Sequence, residues 1–168
     1  KYPVVSVCLL AYNHEKFIRQ CIDAAVNQKT DFEYEIIIGE DCSTDRTREI
    51  CLEYQRQYPE KVKVLLPKKN QGLIENYKSL LRESRGKYIC VCGCDDYWSD
   101  ELKLQKHVNF MEQHEDVVVT YHDLQTIDEA GNKISFPDIV QVLRTNCTAE
   151  DLKSLRCFCS LQASCFRS

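Results

Sequence analysis

The chain has 168 residues, of which 43% are hydrophobic and 29% are charged, and its formal net charge is −4. A chain of this length can bury a substantial core as one domain, and its scarce glycines and prolines argue against long fibrous or low-complexity segments. The acidic balance provides no basic field to attract a phosphate backbone, so nucleic-acid binding is not expected.

The eleven cysteines bear on the compartment in which the protein acts. A disulfide-stapled secreted scaffold is usually smaller and rich in loops, whereas this chain has long periodic segments and an odd cysteine count. The first residues do not resemble a signal peptide, and the apolar runs are too short to span a bilayer. We therefore expect reduced, mostly buried thiols in a cytoplasmic protein that is at most peripheral to the inner face of a membrane.

Apolar runs typical of buried strands alternate with segments of helical periodicity as far as Asp123. The predicted strands are VVSVCLLAY (4–12), YEIIIGED (34–41), KVKVLLP (61–67), KYICVCG (87–93) and DVVVTYHD (116–123). The predicted helices are EKFIRQCIDAAVNQ (15–28), STDRTREICLEYQRQY (43–58), NQGLIENYKSLLRESRG (70–86) and DELKLQKHVNFMEQH (100–114). This alternation with short connections predicts an α/β fold with a largely parallel sheet.

Local signals predict where two of these helices begin and end. Ser43, Thr44 or Asp45 can cap the second helix, and Gly86 is a natural stop for the third.

The alternation breaks after Asp123. DEAGNK (128–133) is typical of a turn, FPD (136–138) of a chain break, and SLQASCF (160–166) of one more strand. TAEDLKSL (148–155) is typical of a short helix, with Thr148 and Asp151 at capping-box spacing. We expect residues 124–168 to be an appendage of a single domain that spans residues 1–168.

Polar residues follow four of the predicted strands, and parallel sheets bind ligands outside the carboxyl ends of their strands. We therefore expect these residues to converge on one edge of the sheet. They are Tyr12, Asn13 and His14; Glu40, Asp41, Cys42 and Ser43; Asn70, Gln71 and Gly72; and Asp95 and Asp96.

Asp95 and Asp96 can ligate a hard divalent cation. Mg²⁺ and Mn²⁺ prefer carboxylates together with substrate phosphate oxygens, and two acids without further protein ligands suit a metal shared with a diphosphate. The alternative is a solvated acidic loop that caps the helix beginning near Asp100. Their position at a strand end favours the metal site.

Asp41 and Tyr12 suggest recognition of a nucleotide base. A buried carboxylate only accepts hydrogen bonds, so Asp41 can accept from the ring N–H of uracil, thymine or guanine, and Tyr12 can stack on a base. The alternatives are that Asp41 only caps a helix and that Tyr12 only packs in the core. The sequence has no glycine-rich phosphate loop, so a metal would neutralise more of the phosphate charge.

The remaining cysteines and histidines are expected to be structural. Cys90, Cys92 and Cys94 alternate and so share one face of a strand, whereas structural zinc sites more often use C-x₂₋₄-C pairs, and the pair Cys157 and Cys159 is spaced similarly. We expect buried packing for these thiols. A satisfied or solvated side chain is expected for His107, His114 and His122, whereas His14 lies at the predicted cleft.

Three segments carry a resemblance to a known family. VSVCLLAYNHEKFIRQCIDAAVNQ, IIIGEDCSTDRTREI and NQGLIENYKSLLRESRGKYICVCGCDDYWSDELKLQKHV, in this order between about Pro3 and Asp123, resemble family 2 glycosyltransferases of the GT-A fold. The resemblance implies a Rossmann-like three-layer sandwich with a mostly parallel central sheet. It implies that Tyr12, in a loop with Ala11 and Asn13, packs on the nucleotide base and that Asp41 reads the base edge.

The resemblance also implies a metal site. Asp95 and Asp96 match the end of the family's DxD-type motif, in which the last acid ligates Mn²⁺ or Mg²⁺ that bridges the diphosphate and its neighbour contacts the donor. Many relatives have an acid in place of Gly93 and a glycine in place of Cys94, so metal binding would depend chiefly on Asp96.

The family's general base is an acid well downstream of this motif. Asp123 and Asp138 are acids in the available stretch, but neither lies in a matching motif, so no catalytic residue is assigned. We expect the base to lie in a C-terminal part of the family domain that this chain lacks.

The leading hypothesis is a metal-dependent, inverting glycosyltransferase of cell-surface polysaccharide biosynthesis. It would use a nucleotide-sugar donor, a UDP-sugar by preference, and a glycan, lipid-linked or other hydroxyl acceptor. A second hypothesis is a binding module that holds the donor but is catalytically incomplete. A third is a zinc-dependent interaction domain built on the cysteines.

Overall fold

The computed structural model describes residues 2–134 and 163–168. Its centre is a six-stranded sheet in the order β3-β2-β1-β4-β6-β5. The strands are β1 (Val5–Ala11), β2 (Tyr34–Glu40), β3 (Val62–Leu65), β4 (Tyr88–Gly93), β5 (Val119–Tyr121) and β6 (Ser164–Arg167). β1 to β4 are parallel, and β6 pairs antiparallel with both β4 and β5. The predicted α/β fold with a mostly parallel sheet is confirmed.

Four helices cover the two faces of this sheet. They are α1 (Ile18–Val26), α2 (Thr47–Gln57), α3 (Leu73–Glu83) and α4 (Lys103–Gln113). The larger hydrophobic core joins one face to α1, α2 and α4, and the smaller core joins the other face to α3 through Leu80. Strands covered on both faces are apolar at most successive positions, which explains the near-continuous apolar runs of β1 and β2 and gives the three-layer sandwich.

Two predicted helix boundaries are wrong. α3 ends at Glu83, and Gly86 lies beyond it, where a Cβ atom would come within 2.4 Å of the Ser6 backbone nitrogen. Glycine is therefore needed at position 86 for close approach to β1 and not as a helix stop. α2 begins at Thr47, and Asp45 acts just before it by accepting a hydrogen bond from the Thr47 N–H at 2.9 Å.

The segment after Asp123 is described only in part. A turn occurs where DEAGNK predicts it, because the Gly131 N–H donates to the Asp128 carbonyl at 2.9 Å. The predicted last strand is confirmed in part by β6, and the predicted fifth strand is much shorter than its apolar run. The predicted chain break at 136–138 and the helix at 148–155 lie outside the described residues, as does Asp138.

The described cysteines are free thiols and all but Cys42 are buried; they are Cys8, Cys21, Cys42, Cys51, Cys90, Cys92, Cys94 and Cys165. Cys90, Cys92 and Cys94 pack into the larger core, as their shared face predicts. Burial is the main cause that raises the pKa of Cys8 to about 11 and that of Cys51 to about 12, so these thiols stay protonated. Cys147, Cys157 and Cys159 lie outside the described residues.

Candidate functional site

The end of β1 lies between the loop that begins at Asp41 and the turn that carries Asp95 and Asp96. The Ala11 carbonyl accepts from the Asp41 N–H at 3.0 Å on one side, and the Leu10 carbonyl accepts from the Cys94 N–H at 2.9 Å on the other. The parallel sheet therefore brings the start of the Asp41 loop and the start of the Asp95–Asp96 turn to the same edge. Ala11 itself is buried, so it supports the site through its backbone.

Asp41 fastens the loop after β3 to the end of β2. Its side chain is 3% exposed, and its two carboxylate oxygens accept from the Gln71 N–H at 2.7 Å and the Gly72 N–H at 2.8 Å. Gly72 is the residue that precedes α3, so Asp41 holds the loop just before α3 and does not cap α2, which follows Arg46. An ionised carboxylate offers about four acceptor positions, so Asp41 can hold this loop and still accept from a base.

Tyr12 and Asn13 form the loop that follows β1. The Tyr12 side chain is 44% exposed, so it is not the core aromatic of the alternative interpretation. Asn13 adopts a left-handed conformation with φ 57°, which asparagine tolerates better than most residues. Its N–H donates to Ser43 Oγ at 3.0 Å, and its Oδ1 accepts from the Thr44 N–H at 2.8 Å. Asn13 therefore joins the loops after β1 and β2 and leaves the Tyr12 ring at the surface.

The same two loops are joined by further side chains that sequence patterns alone do not reveal. The Glu15 N–H donates to Asp45 Oδ2 at 3.0 Å, and the Arg46 N–H donates back to Glu15 Oε2 at 2.9 Å. The His14 N–H donates to Thr47 Oγ1 at 2.7 Å. His14 is half-buried, and its Nδ1 has no hydrogen-bond partner among the described residues.

Glu40, the last residue of β2, stabilises the loop that follows this strand. Its side chain is fully buried and accepts from Arg48 Nε at 2.6 Å and from the Ser43 N–H at 2.6 Å. A buried carboxylate requires such partners. The sequence gives only a weak indication of this ion pair. Glu40 is the acid that ends the buried strand β2, and Arg48 follows it eight residues later.

Asp95 and Asp96 lie on an exposed turn after β4. The Asp96 N–H donates to the Gly93 carbonyl at 3.0 Å, and both side chains are exposed. A Cβ atom at position 93 would lie only 2.6 Å from Asp95 Oδ1. The Asp95 carboxylate therefore lies close to the space that a side chain at 93 would need, and it would have to shift to make room for one.

The alternative of a solvated acidic loop before the next helix stays open, since both side chains are exposed. α4 begins at Lys103, and the carboxylate that accepts from its preceding turn is that of Asp100, through the Leu102 N–H at 2.9 Å. Among the described residues, no group of three or more histidine, cysteine or acidic side chains is placed to hold a metal. Two exposed carboxylates fit a hard divalent cation that takes its remaining ligands from a substrate and water, and the zinc hypothesis has no ligand set in the described part.

The three later histidines each have a hydrogen-bonded Nδ1. His107 Nδ1 lies 2.7 Å from Thr120 Oγ1, His114 Nδ1 lies 2.8 Å from the Phe110 carbonyl, and His122 Nδ1 lies 2.7 Å from the Asp123 carbonyl. Burial is the largest cause that lowers the pKa of His107 to about 3, so this imidazole is neutral.

Within residues 2–134 and 163–168, no helix is long and apolar enough to cross a membrane.

Comparison with known sequences places these features in a family. The sequence model of Glycosyl transferase family 2 matches residues 6–160. An uncharacterized protein of Mycobacterium tuberculosis is 39% identical over 136 residues, which are 80% of this chain and 39% of that protein. A putative teichuronic acid biosynthesis glycosyltransferase, TuaG of Bacillus subtilis, is 32% identical over 109 residues, which are 65% of this chain and 42% of that protein.

Solved structures share the fold. Residues 1–349 of TarS from S. aureus align with a TM-score of 0.58 and 28% identity, over 66% of this chain and 33% of that one, and TarS has also been solved with UDP and with UDP-GlcNAc. The mannosyltransferase PcManGT from Pyrobaculum calidifontis, in complex with GDP-Man and Mn²⁺, aligns with a TM-score of 0.62 and 20% identity, over 71% of this chain and 35% of that one. The chain thus spans about two fifths of the length of the curated relatives it matches.

Proposed function

Because the chain belongs to glycosyltransferase family 2, we propose that it is the donor-binding part of an enzyme that transfers a sugar from a UDP-sugar to an acceptor hydroxyl. The observation that carries this proposal is the arrangement around the end of β1. An exposed tyrosine and a buried, already ordered aspartate lie on one side, and a turn with two exposed carboxylates lies on the other.

For the nucleoside, we propose that Tyr12 stacks on the base and that Asp41 accepts its ring N–H. Uracil offers such an N–H, and TarS, which is 28% identical to this chain, binds UDP and UDP-GlcNAc. Asp41 is held by Gln71 and Gly72 before any ligand arrives, so it presents an acceptor without further ordering of the loop.

For the diphosphate, we propose that Asp96 holds a Mn²⁺ or Mg²⁺ ion and that Asp95 contacts the donor beside it. When bound, such a cation would offset the negative charge of the departing diphosphate. The chain's own contribution is to keep the two carboxylates exposed on the turn after β4, in which the Asp96 N–H donates to the Gly93 carbonyl.

We propose that transfer proceeds with inversion by attack of an acceptor hydroxyl on the face opposite the diphosphate. This requires a general base, and no described residue of this chain is assigned that role. The relationship to a putative teichuronic acid glycosyltransferase supports a cell-surface polysaccharide acceptor, either a glycan or a lipid-linked sugar.

We further propose that the protein works in the cytoplasm, at the inner face of a membrane. Leu73 and Ile74 are 67% and 64% exposed on the first turn of α3, and the exposed Lys68 and Lys69 lie in the loop just before them. Exposed apolar side chains beside lysines suit an anionic lipid surface. Co-sedimentation with anionic vesicles tests this location.

The second candidate function is donor binding without transfer. It is favoured by the fact that no residue in the described part of the chain is assigned as the general base. Donor hydrolysis or sugar transfer by the 168-residue chain would exclude it. Binding of UDP without either reaction would support it.

Calorimetry with UDP and Mn²⁺ tests the metal site directly. We expect Asp96→Ala to weaken UDP binding about a hundredfold, because the loss of a cation that offsets the diphosphate charge is worth several kcal/mol. A chelator should have the same effect on the unaltered chain. Asp116→Ala is the matched control, since Asp116 is an exposed acid in the loop before β5.

The contrary result is also informative. If UDP binds equally well to the Asp96→Ala variant and in the presence of chelator, the metal role of Asp96 is wrong. If UDP does not bind to the unaltered chain at all, the nucleotide-donor proposal is wrong as a whole.

A further inference from the structure

Lys103 is a buried cation close to the proposed metal turn. It is the first residue of α4, and its side chain is almost completely buried, with 4% of the residue exposed. Its ammonium group has no hydrogen-bond partner among the described residues. The nearest partner that the structure shows is the Trp98 ring, whose centroid lies 4.1 Å from Lys103 Nζ.

This placement is unfavourable for folding. A buried ammonium without a hydrogen bond is costly, and the amino end of a helix carries partial positive charge that repels a cation. The contact with the Trp98 ring compensates for only a small part of this cost. Lys106, three residues later, shows the usual arrangement, since it is exposed and lies 2.6 Å from Asp100 Oδ2. An apolar side chain would be more stable than Lys103 at its position.

The location of Lys103 suggests why a charge is kept there. Trp98 follows Asp96 by two residues, so the ring that covers the ammonium belongs to the segment that carries the metal turn. The hydrogen bond with Cys21 and burial are the largest causes that raise the pKa of the Cys92 thiol; the Asp96 carboxylate raises it further, and the Lys103 ammonium lowers it. Both charges therefore act on Cys92, which is the residue before the last of β4.

We propose that Lys103 is a fixed positive charge that attracts and positions the donor's diphosphate at the Asp95–Asp96 turn. The inference rests on the proposed function and names a residue that its metal site does not include. Buried charges are screened little by salt, so the ammonium can act on the diphosphate across the Trp98 ring without touching it. Lys103 is thus a positioning residue, and it supplies charge that the absent glycine-rich loop cannot supply.

His122 provides a built-in reporter of this charge. Its Nδ1 donates to the Asp123 carbonyl, and its Nε2 is buried without a partner in the described part of the chain. Burial is the largest cause that lowers the pKa of His122, and the Lys103 charge lowers it further, while Asp123 and Asp100 act in the opposite direction. An anion that offsets the Lys103 charge should therefore raise the pKa of His122.

The first measurement is binding of UDP and of inorganic pyrophosphate, each with Mg²⁺, to the 168-residue chain. The chain's single tryptophan is Trp98, so its fluorescence reports on the segment beside Lys103. We expect Lys103→Met to weaken both ligands about tenfold, as the loss of one buried charge near the site implies. Lys103→Arg should retain most of the affinity, and Lys106→Met, the matched control on the same helix, should bind like the unaltered chain.

The second measurement separates positioning from a structural role. We expect Lys103→Met to melt at the same temperature as the unaltered chain or higher, although it binds more weakly. By NMR titration, UDP with Mg²⁺ should raise the pKa of His122 in the unaltered chain and leave it unchanged in Lys103→Met.

The outcomes distinguish the inference from the function on which it rests. If Lys103→Met binds UDP and pyrophosphate like the unaltered chain, or if its weaker binding follows a loss of folding, the role of Lys103 is wrong while the proposed function stands. If the unaltered chain binds neither ligand, both are wrong.

Discussion

The two sides of the candidate site are built in different ways. On the nucleoside side, the loops after β1, β2 and β3 are held together by side-chain hydrogen bonds from Asn13, Glu40 and Asp41. On the metal side, the turn that carries Asp95 and Asp96 presents both carboxylates to solvent. The comparison teaches that the loops of the proposed nucleoside side are ordered by side-chain hydrogen bonds, whereas the turn of the proposed metal side exposes its two acids.

The difference has a physical reason. Ordering a loop before a ligand binds reduces the entropy lost on binding, which suits a flat base that is recognised by shape and one or two hydrogen bonds. Carboxylates that bind a cation must not be saturated by backbone N–H groups, because a cation requires their lone pairs. A fixed nucleoside side and an exposed metal side therefore suit the two halves of a nucleotide-sugar.

The largest effect should come from removing the support of the nucleoside side. Glu40→Ala would leave the Arg48 guanidinium and the Ser43 N–H without their shared acceptor and would open a small cavity. We expect a loss of about 3 kcal/mol in the free energy of unfolding, at the low end for a broken buried pair because Arg48 is partly exposed. Urea denaturation measures it.

Glu40→Gln is the matched variant for this change. It keeps the volume and one acceptor oxygen, so it should lose clearly less stability than Glu40→Ala. If Glu40→Ala unfolds at the same urea concentration as the unaltered chain, the nucleoside side does not depend on this ion pair, and the contrast between the two sides is weaker than the structure indicates.

The next largest effect should be a pH dependence of the free energy of unfolding that comes from His107 on α4. His107 packs between α4 and β5, and its pKa is lowered from 6.5 to about 3 by burial first and then by the charges of Lys103 and His122. Between these values the unfolded chain binds one more proton than the folded chain, so stability falls as the pH falls. The slope is about 1.4 kcal/mol per pH unit, or about 2 kcal/mol between pH 6.5 and about pH 5.

The variant His107→Gln tests this slope. Glutamine can still bond to Thr120 Oγ1 but does not titrate, so the variant should lose the His107 part of the slope between pH 6.5 and about pH 5. His122, whose pKa is also lowered, should keep a smaller dependence in both proteins. Parallel stability curves for the two proteins would show that folding does not lower the pKa of His107.

Much of this architecture is accessible from the sequence. The period of apolar residues locates the strands and helices because burial of one face or two leaves a regular pattern. The rule that ligands bind outside the carboxyl ends of parallel strands correctly groups the loops that follow β1, β2 and β4. That rule needs only the order of elements along the chain and not their contacts.

The features that the sequence does not reveal depend on distant contacts. Gly86 is typical of a helix stop, but its lack of a side chain serves the approach to Ser6, which is eighty residues away in the chain. Lys103 occupies a position on the buried face of α4 that His107 and Met111 continue, but a lysine gives no local sign that its side chain is buried against the Trp98 ring. The insertion of β6 between β4 and β5 likewise follows from pairing that no local pattern encodes.

The smallest effect on stability should come from Tyr12. We expect its side chain to contribute to UDP binding but very little to the stability of the fold. Its ring is 44% exposed, so Tyr12→Ala should change the free energy of unfolding by less than about 0.5 kcal/mol. Loss of a stacked base should nevertheless weaken UDP about tenfold, since stacking on an aromatic side chain is worth about 1–3 kcal/mol. Tyr12→Phe retains the stacking face and should bind like the unaltered chain. Weaker binding by Tyr12→Ala with equal loss of inorganic pyrophosphate binding would contradict the assignment, because pyrophosphate has no base and should respond only to the metal side.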